Sequence, residues 1–553
     1  MNSKFSLPLA LLAFAVPCAE LSANERPNII VILADDLGFS DPGCFGGEIQ
    51  TPNLDWLAKK GLRFTQFYNT ARCSPTRASL LTGQYAHKVG LAANGRSLTR
   101  NCMTLAELLK TAGYSTGMVG KWHLSVSRTL QPRMRHQKWL DHQIDPKIPF
   151  APLETYPVSR GFDKHYGIIW GVVNYFDPFS LVDGKKAIKT VPKDYYITDA
   201  INNKATEYIR EFTKNDAPFF LYVAHTAPHW PLHAKKEDIA KYKGKYNGGW
   251  HKLRKQRYAR QLKMGLFDKK NTPLPKLMGK DKDWDALTKR EKQFMAQKLE
   301  VHAAMVHRLD IGVGQILETL RETKQLDNTL IIFLADNGAS PEVPQRPGYD
   351  RTAQTRDGRI VQYLGVYIPG GELTYTGIGA FWANALNTPF RYWKRESFEG
   401  GTHTPMIVCW LGGLKTPPGE TTDQTGHVID IFPTCAELAK AKYPATFQGH
   451  KLTAIDGKSL VPIFQGKQRE GHKQLFFEHT GGAALRQGDW KLVAKAVGQK
   501  KPKTWELYDL SKDRTETNDL AARYPKKVKI MTRDWNQWYQ RVTQIGRANK
   551  AVK

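Results

Sequence analysis

The sequence predicts an α/β protein with a mostly parallel sheet flanked by helices, followed by a smaller antiparallel sheet near the C-terminus. Four short apolar runs support the large sheet, because each is β-branched or aromatic, apolar on both faces and separated from the next by helix-like segments. They are residues 28–34, 115–120, 218–224 and 329–335. Each run ends in polar residues. Since ligands of open α/β sheets bind beyond the carboxyl ends of the strands, these four ends predict one site.

The C-terminal part shows a different pattern of short strands. They fall at residues 474–478, 483–487, 490–494 and 505–510, with Gly488-Asp489 as a hairpin turn and a last helix near 526–542. A chain of 553 residues also exceeds one ordinary core. We therefore predict a catalytic domain over residues 24–465 and an α+β subdomain over residues 466–553.

Two long segments interrupt the catalytic domain. Residues 231–297 form a basic, weakly periodic insertion, and a helix predicted from about 285 to 323 overlaps its end. Residues 341–387 are rich in Gly, Thr, Tyr and Pro and lack a helical period. Because long irregular loops within a domain are usually functional, we expect this loop to line the pocket.

The first 23 residues have the pattern of a signal peptide. Lys4 precedes an apolar stretch at residues 7–16, and small residues follow at 21–23. The stretch is too short to span a bilayer, and no later run is long enough. We expect export to the periplasm or the extracellular space. A lipoprotein anchor at Cys18 stays open, although Pro17 disfavours it.

The composition indicates a soluble, strongly basic protein. Hydrophobic residues make up 41% and charged residues 24%, with a formal net charge of +29. Such a charge favours polyanions as partners, unless it serves only solubility. No nucleic-acid-binding module is recognisable, so export favours acidic extracellular polymers. Four cysteines are interpreted as buried thiols, with one disulfide left open: Cys44, Cys102, Cys409 and Cys435.

The segment from Cys73 to Gly83 carries the sharpest chemical signal. Pro75 suits the first turn of a helix and Gly83 its end. Cys73 would then lie at a helix N-terminus, where backbone amides and the helix dipole stabilise negative charge. Arg77, one turn along, can face the same anion. On these residues alone, a capped helix with an incidental cysteine explains the pattern equally well.

The pattern Cys-x-Pro-x-Arg followed by Leu-Thr-Gly resembles the signature of type I sulfatases, in which the cysteine is oxidised to formylglycine. Five further motifs of that family occur in order: Asp35-Asp36, Gly120-Lys121-Trp122-His123, Pro228-His229, Asp336-Asn337-Gly338, and Lys394 before Glu399-Gly400-Gly401. Residues 160–167 and 387–394 resemble the bacterial arylsulfatase group. The resemblance implies an alkaline-phosphatase-like fold and a sulfuric ester hydrolase.

The predicted metal site takes its ligands from two strand ends. Asp35, Asp36, Asp336 and Asn337 supply hard oxygens, which suit calcium or magnesium. The resemblance selects calcium, with the side chain derived from Cys73 as a further ligand.

The resemblance also assigns roles in catalysis. The hydrated formylglycine at Cys73 attacks sulfur, and His123 is the base that regenerates the aldehyde. Lys121 and Arg77 hold the formylglycine oxygens. His229 and Lys394 bind sulfate and support the leaving oxygen, with His229 as the proton donor.

Several alternatives remain at this stage. His225 competes with His229, and Arg391 and Arg395 compete with Lys394. Further candidates for substrate contacts are His307, His403 and the aromatic loop 170–176.

The function also has alternatives. The predicted substrates are sulfated carbohydrates, with aryl sulfates as surrogates, and the predicted partner in maturation is a formylglycine-generating or anaerobic sulfatase-maturating enzyme. The rival functions are a phosphonate or phosphate ester hydrolase and a non-catalytic polyanion-binding protein.

Overall fold

A ten-stranded sheet forms the centre of the molecule. The computed structural model describes residues 26–279, 282–495 and 503–551, so the predicted signal peptide and Cys18 lie outside the described residues. In spatial order the strands are Thr421–Thr422, Leu62–Phe64, Met406–Cys409, Thr329–Ala335, Asn28–Ala34, Phe219–Ala224, Ser115–Lys121, Lys164–Ile168, Leu181–Asp183 and Lys186–Ala187.

The middle of this sheet is parallel, as predicted, and includes all four apolar runs of the sequence. Its central strand, Asn28–Ala34, is buried on both faces, since Ile30 packs into one apolar layer and Val31 into the other. The last residues of two neighbouring strands, Ala34 and Ala335, are paired in register. The residues that follow them therefore begin side by side at one edge of the sheet.

Helices cover both faces of the sheet. The predicted helix near 285–323 begins at Lys289, after a capping box of Thr288 and Glu291. The α-helices are Pro52–Lys60, Cys73–Thr82, Leu105–Thr111, Arg133–Leu140, Ile197–Phe212, Lys236–Ala240, Gly249–Lys263, Lys289–Glu322, Ala380–Leu386, Glu399–Thr402, Ile431–Leu438, Val461–Phe464 and Pro525–Ala551.

The segment 341–387 contains a helix that the sequence did not predict. Ala380–Leu386 is only seven residues long, so its period is lost within a long irregular segment. Its end ties two loops together, since Asn387 Oδ1 accepts from the backbone amide of Ala339 at 3.0 Å and Nδ2 donates to Tyr392 O at 3.1 Å.

The basic insertion is more closely integrated than its composition indicates. Arg254 and Arg257 lie one turn apart on the helix Gly249–Lys263 and are buried, whereas Lys252 and Lys255 are exposed. Arg257 donates to carboxylates at 2.7 Å and 2.8 Å, on Asp41 and Glu48 respectively. Part of the positive charge of the insertion is therefore buried and not on the surface. One face of this helix is buried against the rest of the domain, and the charge of Arg257 is paired there with carboxylates.

A second, smaller sheet is antiparallel throughout, as predicted. Its strands are Leu475–His479, Gly482–Gln487, Trp490–Ala494 and Trp505–Asp509. Gln487 pairs with Trp490, so Gly488-Asp489 is the two-residue turn, and Gly488 adopts a φ of 58°. The terminal helix packs on this sheet, with Trp538 stacked on Phe476 at 4.9 Å.

Two further sequence expectations concern sulfur and membranes. Cys44, Cys102, Cys409 and Cys435 are buried free thiols, which confirms the first interpretation and leaves no bridge between them. Within the described parts of the chain, no helix combines the length and apolar character needed to cross a bilayer.

Candidate active site

Four oxygen-bearing side chains converge at the carboxyl ends of two paired strands. Asp35 and Asp36 follow one strand, Asp336 and Asn337 follow its neighbour, and each is at most 2% exposed. Asn337 Nδ2 donates to Asp36 Oδ1 at 2.7 Å, and the Asp36 amide donates to Asp336 Oδ1 at 3.3 Å. Asp36 has a φ of 67°, a left-handed conformation that non-glycine residues rarely adopt and that is often found at functional sites.

Three buried cations neutralise these acids. Lys121 Nζ lies 2.5 Å from Asp35 Oδ2, Arg77 Nη2 lies 2.8 Å from Asp336 Oδ2, and Lys394 Nζ lies 2.7 Å from Asp36 Oδ1. Such a cluster is costly to bury unless every charge is paired. The structure therefore brings together acids and cations that the sequence spreads over 360 positions.

The donor set fits a hard divalent cation. Asp35 Oδ1 and Asn337 Oδ1 are buried and have no hydrogen-bond partner among the described residues. Potential ligand atoms of Asp35, Cys73 and Asp336 all lie within 4.8 Å of one another. Burial and the neighbouring Asp336 raise the pKa of Asp35, a cost that a bound cation would offset. The residues that would hold such a cation are Asp35, Asp36, Asp336 and Asn337.

Cys73 is the first residue of the helix Cys73–Thr82 and is 1% exposed. The helix ends at Gly83, whose φ of 65° and amide bond to Ser79 O form the left-handed cap that glycine favours. Cys73 Sγ lies 3.5 Å from His123 Nδ1. The start of a helix favours negative charge at this position, because the helix dipole is positive there.

His123 is held in an unusual backbone conformation. Its φ is 55°, and nearby Gly120 has a φ of 98° at a point where a Cβ would lie 1.9 Å from Ala224 O. Only glycine fits there. Burial, followed by the charges of Lys121 and Arg77, holds the pKa of His123 well below its usual value. The ring is therefore neutral at neutral pH and can accept a proton.

His229 lies beside Asp36, one of the candidate metal ligands. Its Nδ1 lies 2.6 Å from Trp230 O and its Nε2 lies 3.4 Å from Asp36 Oδ2. Burial lowers the pKa of His229 to about 4, although Asp36 opposes the shift. The competing residue His225 is fully buried, and both its ring nitrogens lack hydrogen-bond partners among the described residues. The geometry thus favours His229 over His225.

Lys394 is the cation of its loop that reaches the acids. Arg391 instead donates to Tyr508 Oη at 3.0 Å, and the side chain of Arg395 is exposed. The Lys394 amide donates to Ala339 O at 3.1 Å, which fixes the loop beside the strand end that carries Asn337.

Two of the remaining candidates, His403 and His307, pack against other side chains. His403 is buried, stacks on Phe390 at 4.4 Å and bonds to Glu399, while His307 bonds to Lys241 and Gln50. Both are packing residues.

The aromatic loop 170–176 supports two site residues. Gly171 lies against the ring of His123, and Tyr175 Oη donates to His229 O at 2.8 Å.

Sequence reasoning missed two residues beside the site. Arg72 and Glu342 form an ion pair of 2.9 Å, and Glu342 Oε2 lies 3.4 Å from Lys394 Nζ. Both side chains are about one-fifth exposed, so solvent reaches this side of the site. The position of Arg72 directly before Cys73 was an available signal. For Glu342 the sequence carried no signal except its position in the irregular loop 341–387.

Comparison with known proteins decides the family. Residues 27–441 match the family described as Sulfatase, and residues 390–542 match the one described as N-sulphoglucosamine sulphohydrolase, C-terminal. The chain belongs to the sulfatase family. It is an enzyme, a hydrolase of sulfate esters, and its sheet is that of the alkaline-phosphatase-like fold.

Individual relatives agree over most of their length. The chain is 33% identical to an arylsulfatase of Klebsiella aerogenes, covering 86% of this chain and 100% of the relative. It is 26% identical to an N-acetylgalactosamine-6-O-sulfatase of Bacteroides thetaiotaomicron, covering 92% of each. The crystal structure of Ps i-CgsB in complex with k-i-k-neocarrahexaose is similar, with 26% identity, a TM-score of 0.62 and coverage of 93% and 92%.

Proposed function

We propose that this sulfatase is a calcium-dependent enzyme that uses formylglycine at position 73 to hydrolyse sulfate monoesters of carbohydrates. The observation that carries the proposal is the position of Cys73, at a helix start 3.5 Å from His123 and within reach of the acids Asp35 and Asp336. A non-catalytic sulfatase-like protein would be expected to have lost one of these groups, and all are present.

Each side chain has a place in this chemistry. Formylglycine supplies, in its hydrated form, an oxygen nucleophile for sulfur, and calcium supplies positive charge that polarises the sulfate. Lys121 and Arg77 orient the derivative of Cys73. His123 Nδ1 faces position 73 and accepts a proton there.

The leaving oxygen needs a proton from the opposite side. His229 Nε2 and Lys394 Nζ both approach Asp36 and are placed to hold a sulfate oxygen. We assign proton donation to His229. Because burial lowers the pKa of the free ring, His229 gains its proton in the complex, where the sulfate adds negative charge.

Sulfated saccharides are the proposed substrates, and aryl sulfates the surrogates. A relative over 92% of this chain is named for N-acetylgalactosamine 6-O-sulfate, and a similar structure holds a neocarrahexaose. The net charge of +29 favours an acidic polymer. We also propose that residues 1–23 direct export, that a maturation enzyme converts Cys73, and that residues 24–465 and 466–553 form two domains.

One experiment tests the core of the proposal. The protein is co-produced with a formylglycine-generating enzyme, the peptide with residue 73 is examined by mass spectrometry, and sulfate release is measured on a panel of sulfated sugars and an aryl sulfate. We expect the thiol-to-aldehyde mass change and activity that Cys73→Ala abolishes. Activity with unmodified Cys73 would contradict the mechanism. Preferential cleavage of phosphonate or phosphate esters included in the panel would favour the rival hydrolase.

A further inference from the structure

A single helical turn, Glu399–Thr402, contacts three parts of the active site. Its Gly401 O accepts from the amide of Gly338, next to the predicted ligand Asn337, at 3.2 Å. The Gly400 amide donates to Arg391 O at 2.9 Å, in the loop that carries Lys394, and Thr402 O accepts from the Asn69 amide at 2.7 Å. This turn therefore joins the metal-ligand strand end, the Lys394 loop and the segment that leads to Cys73.

The contacts of the turn leave no space for adjustment. A Cβ on Gly338 would lie 1.9 Å from Gly400 O, and a Cβ on Gly400 would lie 2.2 Å from Arg391 O. Backbones this close cannot slide past one another without collision. A displacement of the turn by even a few tenths of an ångström would be passed to Lys394 and Asn337.

The first residue of the turn is fixed from the small C-terminal sheet. Lys491 Nζ, on the strand Trp490–Ala494, donates to Glu399 Oε1 at 2.6 Å. Glu399 Oε2 accepts from Tyr68 Oη and lies near His403 Nδ1, at 2.9 Å each. Glu516 accepts from the Glu399 amide at 2.9 Å and lies 2.9 Å from Lys491 Nζ.

The cluster is fully buried and not balanced in charge. Lys491, Glu399 and Glu516 have side chains at most 2% exposed, and one lysine serves two carboxylates. Burial alone would raise the pKa of Glu399, but Lys491 and His403 lower it. Burial and the nearby Glu399 raise the pKa of Glu516 to about 7, although Lys491 opposes the shift. Glu399 is the closer partner of Lys491, since the ion-pair distance is 2.6 Å to Glu399 and 2.9 Å to Glu516.

We propose that Lys491 is a positioning residue of the active site: by holding Glu399 it fixes the turn Glu399–Thr402, and through that turn it sets the position of Lys394. The C-terminal sheet is on this view a part of the catalytic apparatus. The inference rests on the proposed function of Lys394 in binding sulfate.

Two matched variants test it, Glu399→Gln and Glu516→Gln. Each removes one buried carboxylate and leaves Lys491 with one, so both balance the buried charge equally and both are expected to fold. Only Glu399→Gln loosens the contact between Lys491 and the turn, because a glutamine at position 516 still offers an oxygen that accepts from the Glu399 amide. We expect it to lower kcat/KM on an aryl sulfate at least tenfold and to weaken product inhibition by inorganic sulfate at least fivefold. Glu516→Gln should stay within threefold of wild type in both, with Tm values of the two variants within a few degrees.

A second pair of variants separates positioning from stability. Lys491→Met removes the cation, and Lys491→Arg keeps it and should restore part of the activity. The control is Arg469→Met, because Arg469 is a buried cation whose partners are Asp430 and three backbone carbonyls of another region. It should lower Tm as Lys491→Met does and leave kcat/KM within twofold.

The outcomes distinguish the inference from the proposed function. If the wild-type protein carries formylglycine at position 73 and is still inactive, the proposed function is wrong. With an active wild type, equal activity of Glu399→Gln and Glu516→Gln overturns the positioning role. If Lys491→Met does not fold, the glutamine pair alone decides.

Discussion

The backbone of Gly171 packs directly against the imidazole of His123, so that a Cβ at position 171 would lie 2.6 Å from the ring atoms Cε1 and Nε2. This contact fixes which way the ring faces, and it turns Nδ1 towards Cys73. Gly171 does not have a positive φ, so its backbone conformation does not require glycine. The reason for glycine at this position is the steric contact with His123.

Gly171→Ala should therefore impair catalysis without unfolding the protein. The methyl group displaces the His123 ring, and we expect kcat on an aryl sulfate to fall ten- to hundredfold with a small change in KM. The control is Gly113→Ala, where a Cβ meets nothing within 4 Å although the φ is 80°. Its cost should appear in Tm alone. Equal kcat for Gly171→Ala and wild type would show that the ring has room to move.

The metal site predicts unequal effects of two acids that lie in the same pocket. Asp336→Asn removes a charged ligand and should weaken calcium binding at least tenfold by titration calorimetry. Glu342→Gln removes a charge beside Lys394 but outside the donor set, so calcium affinity should change less than threefold. Similar losses in the two variants would place the ion elsewhere in the pocket.

Proton donation by His229 predicts a dependence on the leaving group. An alkyl sulfate needs protonation of its leaving oxygen more than an activated aryl sulfate does, and general acid catalysis contributes about 10²–10⁴-fold. His229→Asn should thus reduce kcat/KM on the alkyl ester at least a hundredfold more than on the aryl ester. Lys394→Met should reduce both in parallel. The reverse pattern would make Lys394 the donor.

The buried carboxylate of Asp430 predicts how stability depends on pH. Burial alone would raise its pKa, but His472 at 2.6 Å and Arg469 at 2.8 Å lower the pKa to about 2. The pKa of Asp430 is lower in the folded protein than in the unfolded chain, where it is near 4. The ionised carboxylate therefore stabilises the fold at pH values above 4, and this contribution is lost as the pH falls towards 2. It amounts to on the order of 2 kcal/mol.

Urea unfolding of Asp430→Asn measures that contribution. The variant should be less stable than wild type at pH 6, and the difference should shrink as the pH falls below 4. Asp145→Asn is the control, because its ion pair with Lys189 is exposed and contributes little. A difference that does not change with pH would mean that Asp430 is not ionised in the folded protein.

The basic insertion predicts a salt effect that depends on the substrate. The screening length falls from about 10 Å at 0.1 M salt to about 3 Å at 1 M. Raising salt should depress kcat/KM for a sulfated oligosaccharide far more than for an aryl sulfate. A variant measured at low salt should show the same difference between the two substrates. It replaces the exposed Lys252, Lys255 and Lys263 by Gln, because Arg254 and Arg257 are buried.

The matched control for this variant changes the same charge elsewhere. Lys526, Lys529 and Arg541 are exposed on the terminal helix Pro525–Ala551. Their replacement by Gln should alter oligosaccharide turnover less than the replacement in the insertion. Equal effects of the two variants would mean that net charge alone attracts the polymer.

The sequence predicted those features that depend on local pattern. The four central strands are β-branched or aromatic runs, and their polar ends meet because parallel strands share one edge. The start of the helix at Cys73 was likewise visible, since Pro75 and Gly83 mark its two ends.

Features that depend on distant partners were not predictable. The burial of Arg257 was not predictable, because arginines are usually exposed and its partners Asp41 and Glu48 lie more than 200 residues away in sequence. The same holds for the pairing of Lys491 with Glu399. Glu342 lies in a segment without regular period, and only the fold brings it to Lys394.

The order of the strands has a consequence for synthesis. The strand Asn28–Ala34 is made early, but its two neighbours are Phe219–Ala224 and Thr329–Ala335, so the centre of the sheet cannot close until well over half of the chain has been made. Such non-local pairing is slow to form. Cys73 is 1% exposed in the finished fold, so the conversion proposed above would have to take place before the sheet closes around it.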